Sequence, residues 1–378
     1  MLTAIAIENY RSIVRLRLPL QQLNVITGEN GSGKSNLYRA LRLLASAANN
    51  QLAAKIAAEG GLDSIFWAGT LLPAMGQSAK EPKRLRLGFS SSDFGYSMVL
   101  GLPVPSLSFF DRDPEVKFES IWHGAQLRLA SVLVHRDGPA VQSRDTAGWK
   151  IMHQHCLPYR SIFDTLADAK TSPEIMDLRE TMRSWRFYDH FRVDGDAPAR
   201  QAHFGSRTLV LHHDGRDLAS ALQTIAEIGD VKALHALIDH AFPGCRVEIH
   251  VMDGKFHLMW HQSGLRRPLN AAELSDGTLR FLLWAAALLT PRPPALMVLN
   301  EPESSLHPDL LAALGKLIMH AADNTQVIVV THSSRLRAVL QQDKACSHIP
   351  LLQQDGVTLI ADQSWLDAPA WTWPDRMR

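Results

Sequence analysis

The sequence predicts an α/β protein with a buried parallel sheet, a subdomain of antiparallel strands and a helical insertion. Three observations predict it. The apolar run "LNVIT" passes at once into a glycine-rich loop and then into a helix with an apolar stripe. Far downstream, "ALMVL" and "QVIVV" read as two more buried strands, separated by a helical pattern and each ending in polar residues. Between these halves, segments that alternate apolar and polar residues, punctuated by turn residues, read as antiparallel strands.

Composition sets the outer limits. With 378 residues, 46% hydrophobic and 20% charged, the chain has apolar material for roughly two or three lobes. The 39 basic and 38 acidic side chains leave a net charge of +1, which gives no support for the broad positive field of a dedicated nucleic-acid binder, although a local basic groove stays open. Cys156, Cys245 and Cys346 are too scattered for a disulfide framework or a zinc cluster; a reducing, cytoplasmic setting is expected. The longest apolar run, Phe281 to Leu289, is about half of what a membrane span needs, so no membrane segment is expected.

The first element pair is the most informative. Gly28, Gly33, Lys34 and Ser35 satisfy G-x-x-x-x-G-K-[ST], the phosphate-binding loop. Glycines let the backbone curl so that successive N–H groups face phosphate oxygens, and Lys34 adds a mobile positive charge for the β and γ phosphates. Asn30, Gly31, Ser32, Gly33, Lys34, Ser35 and Asn36 form the expected nucleotide-binding set, with the Ser35 hydroxyl on a magnesium ion. The following helix carries Leu37, Leu41 and Leu44 on one face and turns its positive end toward the phosphates.

A loop of this kind also needs a carboxylate at the end of a neighbouring apolar strand to activate water. "ALMVLNEPESSLHPDLL" supplies one: after Ala295 to Leu299, Asn300 and Glu301 emerge at the C-terminal tip, where ligands collect in open α/β sheets. A helical stripe of Leu311, Leu314, Leu317 and Ile318 follows, and then a strand whose tip carries Thr331 and His332.

The order of the Gly28 to Ser35 loop, "ELSDGT", "VLNEPESSLHP" and "VVTHSS" resembles the P-loop ATPase heads of the ABC-type superclass, in their soluble SMC/RecF/OLD-like branch. Within it, the chain is similar to stand-alone AAA-family ATPases with "NEPE" followed by "SLHP". The resemblance implies a bilobed ABC/SMC-type head with ATP and magnesium as cofactors. It makes Lys34 the phosphate lysine, Ser35 a magnesium ligand, Glu301 the general base and His332 the γ-phosphate sensor. Ser275 and Gly277, in "LSDGT", become a signature that contacts the ATP of a second protomer, so ATP-dependent homodimerisation is implied. Read alone, the same stretch is also an ordinary helix cap. Asn300 departs from the pattern, which has an aspartate on the magnesium side; the site loses a negative charge and keeps an amide oxygen. Magnesium affinity and hydrolysis rate both depend on that change. No glutamine loop is identifiable; Glu119 is a positional candidate, with a solvated strand charge as the plainer reading. Arg11, in "NYRS", matches a position that in relatives lies near the nucleotide, or is a surface arginine.

The expected organisation is residues 1–155 as a lobe with the phosphate loop and antiparallel strands, 156–241 as the helical insertion, and 242–378 as a lobe with the signature, Glu301 and His332. In the insertion, "SPEIMDLRETMRSWRFYDHF" reads as a helix with a Ser-Pro start, and "DLASALQTIAEIG" and "DVKALHALIDHAF" as two amphipathic helices. No sustained heptads announce a coiled coil, and the residues after His332 show no carboxylates clustered for two metals. His153 and His155 lack evident partner ligands.

Two functions follow. The first is an ATP hydrolase that dimerises on ATP and serves DNA maintenance or phage defence. The second is a slow or inactive ATP-gated binding module that presents a surface to DNA or to a separately encoded effector. A transporter subunit fits less well, because "NEPESSLHP" resembles the soluble branch.

Overall fold

Alternation between Leu2 and His153 is realised as hydrogen-bonded antiparallel strands. The computed structural model describes residues 1–69, 82–105, 107–145, 148–168, 170, 172–364 and 367–376. By contacts the chain forms two units, one of Met1–Gln21, Thr27–Trp185 and Ile349–Arg378, the other of Gln22–Ile26 and Arg186–His348.

In the first unit, an eight-stranded antiparallel sheet runs in the order Ile13–Pro19, Leu2–Tyr10, Leu85–Ser91, Phe94–Gly101, Glu115–His123, Val132–Asp137, Ala140–Asp145 and Gly148–His153. The strand Leu2–Tyr10 is buried along nearly its whole length; it pairs with Ile13–Pro19 and Leu85–Ser91, and the helix Lys34–Ser46 packs on it. Leu37, Leu41 and Leu44 are buried, as the stripe predicts. The C-terminal "WTWPDR" docks on this sheet: Trp371 meets Trp122 edge to face at 5.8 Å, and Arg86 holds Asp375 at 2.7 Å. Gly88 is required there, since a Cβ would meet the Trp371 ring.

Glu119 corrects the reading of a solvated strand charge. It is fully buried and accepts hydrogen bonds from Tyr96 Oη (2.6 Å), Ser161 Oγ (2.5 Å) and Ile162 N (2.9 Å), with Arg136 Nη1 at 3.7 Å. A buried carboxylate persists only with such partners, and they come from segments that pattern alone cannot bring together.

In the second unit, parallel strands run in the order Arg186–Tyr188, Leu296–Asn300, Gln326–Val330 and Leu23–Gly28, the last through its residues up to Ile26. The continuous burial of Leu296–Leu299 and Val327–Val330 is that of strands covered on both faces. The helix Asp276–Leu288 is buried at every position from Leu279 to Leu288. It shares one core with Leu311–Ala322, Leu218–Ile228 and Val231–Ala241. The strands Arg246–Met252 and Lys255–His261 form an antiparallel hairpin.

The helix expected through Phe191 stops earlier. It spans Pro173–Ser184, and Arg186–Tyr188 is a strand parallel to Leu296–Asn300. Tyr188 is fully buried, its hydroxyl donates to Leu211 O at 3.0 Å, and its ring meets Trp284. An edge place in a parallel sheet outweighs local helix preference for these aromatic residues. Among the described residues no helix is long and apolar enough to cross a membrane.

Candidate active site

In the first unit the loop is shaped by its glycines. Gly31 and Gly33 take φ of 84° and 99°, and a Cβ at Gly33 would collide with the Thr358 side chain. At Gly28 a Cβ would collide with Leu351 O and Ser32 Oγ. Ser32 N donates to Glu29 O at 3.1 Å and closes the turn. Lys34 is buried and its Nζ donates to Gly28 O (2.7 Å) and Glu29 O (2.8 Å), so the ammonium is docked on the loop's own carbonyls. This differs from the freely mobile cation expected; a phosphate that takes Lys34 has to compete with two carbonyl acceptors.

Asn30, Gly31 and Ser35 are exposed, and the first turn of the helix Lys34–Ser46 holds no acidic residue. Asn36 Nδ2 donates to Ser12 Oγ at 2.8 Å, and Ser12 Oγ lies 2.7 Å from Thr358 Oγ1. "NYRS" thus buttresses the helix start through Ser12. Arg11 is tied to Glu59 at 2.8 Å and stacks near Tyr10, within the same unit.

In the second unit, two adjacent strand tips carry the polar residues. Asn300 ends its strand, and Glu301 follows with φ of 48°, a left-handed conformation that is costly for a residue with a Cβ. Glu301 N donates to Val330 O at 2.8 Å, which fixes this turn to the neighbouring strand. Glu301 Oε1 lies 3.0 Å from His332 Nε2. Glu303 holds the other side of the same corner. Its Oε1 accepts from Thr331 Oγ1 (2.5 Å), His332 N (2.9 Å) and Ser333 N (3.1 Å). Asn300 Nδ2 donates to Asp189 Oδ1 at 2.6 Å, while Asn300 Oδ1 is buried and accepts no hydrogen bond among the described residues.

The "LSDGT" stretch belongs to the same unit. Ser275 caps the helix Asp276–Leu288, its Oγ accepting from Thr278 N at 3.1 Å, so the helix-cap reading holds geometrically. Arg200 anchors the stretch: Nη1 donates to Leu274 O at 2.8 Å, and Nη2 meets Asp276 Oδ1 at 2.6 Å. Arg280, whose guanidinium burial pushes down in pKa, donates to Ser304 O at 2.6 Å and ties this helix to the turn after Glu301. Gly277 faces that turn as well, for a Cβ there would sit 3.9 Å from Ser305 O.

The loop therefore gathers Gly28 to Asn36 in one unit, and Asn300, Glu301, His332, Ser275 and Gly277 share the other. Sequence reasoning passed over Asp189, Glu303, Arg200 and Ser12. Glu303 lies inside the quoted "NEPE" motif and was legible there; Asp189 was hidden by the helical reading of its segment. The donor set fits the cofactors that the motifs imply. Glycine positions that tolerate no Cβ, beside a helix start without acidic side chains, suit a polyphosphate. The Ser35 hydroxyl in the first unit and the Asn300 amide oxygen in the second are each hard oxygen donors of the kind magnesium takes. Among the described residues no cluster of three or more His, Cys, Asp or Glu could hold a metal by itself.

Residues 159–338 match the family model described as "AAA domain, putative AbiEii toxin, Type IV TA system", and residues 1–69 match the AAA ATPase domain. None of the curated proteins matches the chain in sequence. Among solved structures, an Smc head bound to the C-winged helix domain of ScpA is similar over 97% of this chain and 98% of its own, at 13% identity and a TM-score of 0.53. An Smc head domain with an extended coiled coil from Pyrococcus furiosus aligns over 95% of each chain at 12% identity and a TM-score of 0.48. The SMC head domain from Thermotoga maritima aligns over 96% of this chain and 99% of its own at 14% identity and a TM-score of 0.44. AAA ATPase-domain models thus match residues 1–69 and 159–338, and the chain has the fold of an Smc head.

Proposed function

We propose that the chain binds ATP with magnesium and hydrolyses it, and that ATP joins two copies of the chain. The pairing of Glu301 with His332 at 3.0 Å carries the reading, because it sets a base and a polarising imidazole side by side at the tips of adjacent parallel strands. In this reading the amides of Asn30, Gly31, Ser32 and Gly33, with Lys34 and Asn36, hold the phosphates. Ser35 and Asn300 would hold magnesium, which when bound would screen phosphate charge. Glu301 accepts the proton of the attacking water, and His332 donates to a γ-phosphate oxygen. Ser275 and Gly277 of one copy face the ATP held by the other.

The AbiEii wording of the matching family model and the Smc-head fold support a setting in phage defence or DNA maintenance, in the cytoplasm, with DNA or a separate effector as partner. Asn300 favours a second reading, a slow or inactive ATP-gated binding module, because an amide stands where the pattern has a carboxylate. Phosphate release under saturating magnesium-ATP separates the two. Glu301→Gln is expected to keep ATP binding and stop release, since an amide cannot take the water's proton. A wild-type rate no higher than that of the variant leaves only the binding module; a variant as fast as wild type places the base elsewhere.

A further inference from the structure

Asn300 raises a question of charge that the neighbouring strand answers. In the parallel pairing of Arg186–Tyr188 with Leu296–Asn300, Tyr188 stands opposite Leu299, so the next residues, Asp189 and Asn300, leave the sheet side by side. Asp189 is exposed, and its Oδ1 accepts from Asn300 Nδ2 at 2.6 Å. That bond fixes which way the amide faces: its nitrogen is committed to Asp189, and its oxygen is the buried atom without a hydrogen-bond partner among the described residues. One strand tip has thus lost a carboxylate, and the adjoining tip presents one in direct contact with the replacement.

We propose that Asp189 supplies the carboxylate that magnesium-ATP requires at this corner, with Asn300 as the hydrogen-bonded partner that orients it. The inference rests on the ATP-binding reading above and concerns the identity of the acidic residue. The chemistry is that of a hard dication, which takes carboxylate oxygens and bound water in preference to softer donors. The pair keeps one formal negative charge, as an aspartate at position 300 would have done, but places it on the edge strand. Asn300→Asp in the wild-type background would set two carboxylates in hydrogen-bonding contact, where both cannot ionise freely. A simple gain in metal binding is therefore not the expected result of that change.

The test uses the full chain, manganese(II) as the probe and a non-hydrolysable ATP analogue, with free manganese read by electron paramagnetic resonance. Asp189→Asn keeps a side-chain acceptor for the Asn300 amide, so the urea midpoint and the metal-free affinity for the analogue should not change. Manganese affinity in the presence of the analogue is expected to fall roughly tenfold to a hundredfold, the usual loss when a carboxylate supporting a metal is removed. Adding Asn300→Asp to Asp189→Asn returns the charge to the other strand and is expected to restore binding. Unchanged manganese affinity in Asp189→Asn, or no recovery in the double variant, overturns the inference. Lys34→Ala keeps the two readings apart. If it abolishes analogue binding while Asp189→Asn leaves manganese binding intact, the role of Asp189 alone fails; if it leaves analogue binding untouched, the ATP site itself fails and Asp189 with it.

Discussion

At Glu119, burial and pairing pull in opposite directions. Loss of water raises the carboxyl above its usual range, and Arg136, Ser161, Tyr96 and the Ile162 amide bring it only part of the way back. A carboxyl raised on folding binds its proton more tightly in the native state. Its contribution to stability is therefore full below the unfolded carboxylate pKa and is lost as pH rises through the folded value. Glu119→Gln keeps the shape and removes the titration. The stability of wild type relative to this variant, from urea melts, is expected to fall as pH rises above about 4.5; a gap that is constant or widens contradicts the assignment. Lys34 makes a related point, because its charge is already satisfied by Gly28 O and Glu29 O. The motif showed which residue carries the charge, while its resting partners depend on how the glycine turn closes.

Elements were legible wherever a period was clean. The strand before the loop, the helix with Leu37, Leu41 and Leu44, and the strands ending at Asn300 and Val330 stand where the pattern puts them. The short strand Arg186–Tyr188 was not legible, because three residues carry no period and the preceding helix has a strong start signal. The candidate residues of "NEPE" and "VVTHSS" were readable as types, but their mutual support was not, since it joins residues from separate strands. Glu303 carries that support, one oxygen serving three donors on the Thr331 to Ser333 corner. Glu303→Ala leaves those donors without their acceptor and should cost about 1–3 kcal/mol in urea denaturation. Because His332 then loses its fixed place, turnover is expected to drop while ATP affinity holds. Glu303→Gln retains an acceptor oxygen and should be the milder change. If the two variants are equally damaging, the negative charge matters rather than the hydrogen bonds.

For the whole molecule, hydrolysis needs a phosphate loop, a base and, in the proposed dimer, a signature from the other copy. The loop with Lys34 and the stretch with Ser275 belong to different units of one chain, so they can be disabled separately. Lys34→Ala removes the cation proposed to neutralise the β and γ phosphates and leaves the proposed signature sound. Ser275→Arg places a long cation on the cap of the helix Asp276–Leu288 and leaves the phosphate loop sound. Each is expected to be inactive alone. In a mixed dimer with isologous pairing, one site combines the intact loop with the intact signature, and the other carries both lesions. Random pairing from an equal mixture makes about half the dimers mixed, so activity should return to roughly a quarter of wild type. The decisive measurement is phosphate release from that mixture, with heterodimers verified, beside each variant alone. Recovery toward a quarter from two silent parents is the expected result. Full activity of Lys34→Ala by itself, or a verified mixture no more active than its parents, contradicts an ATPase built from sites shared between two copies.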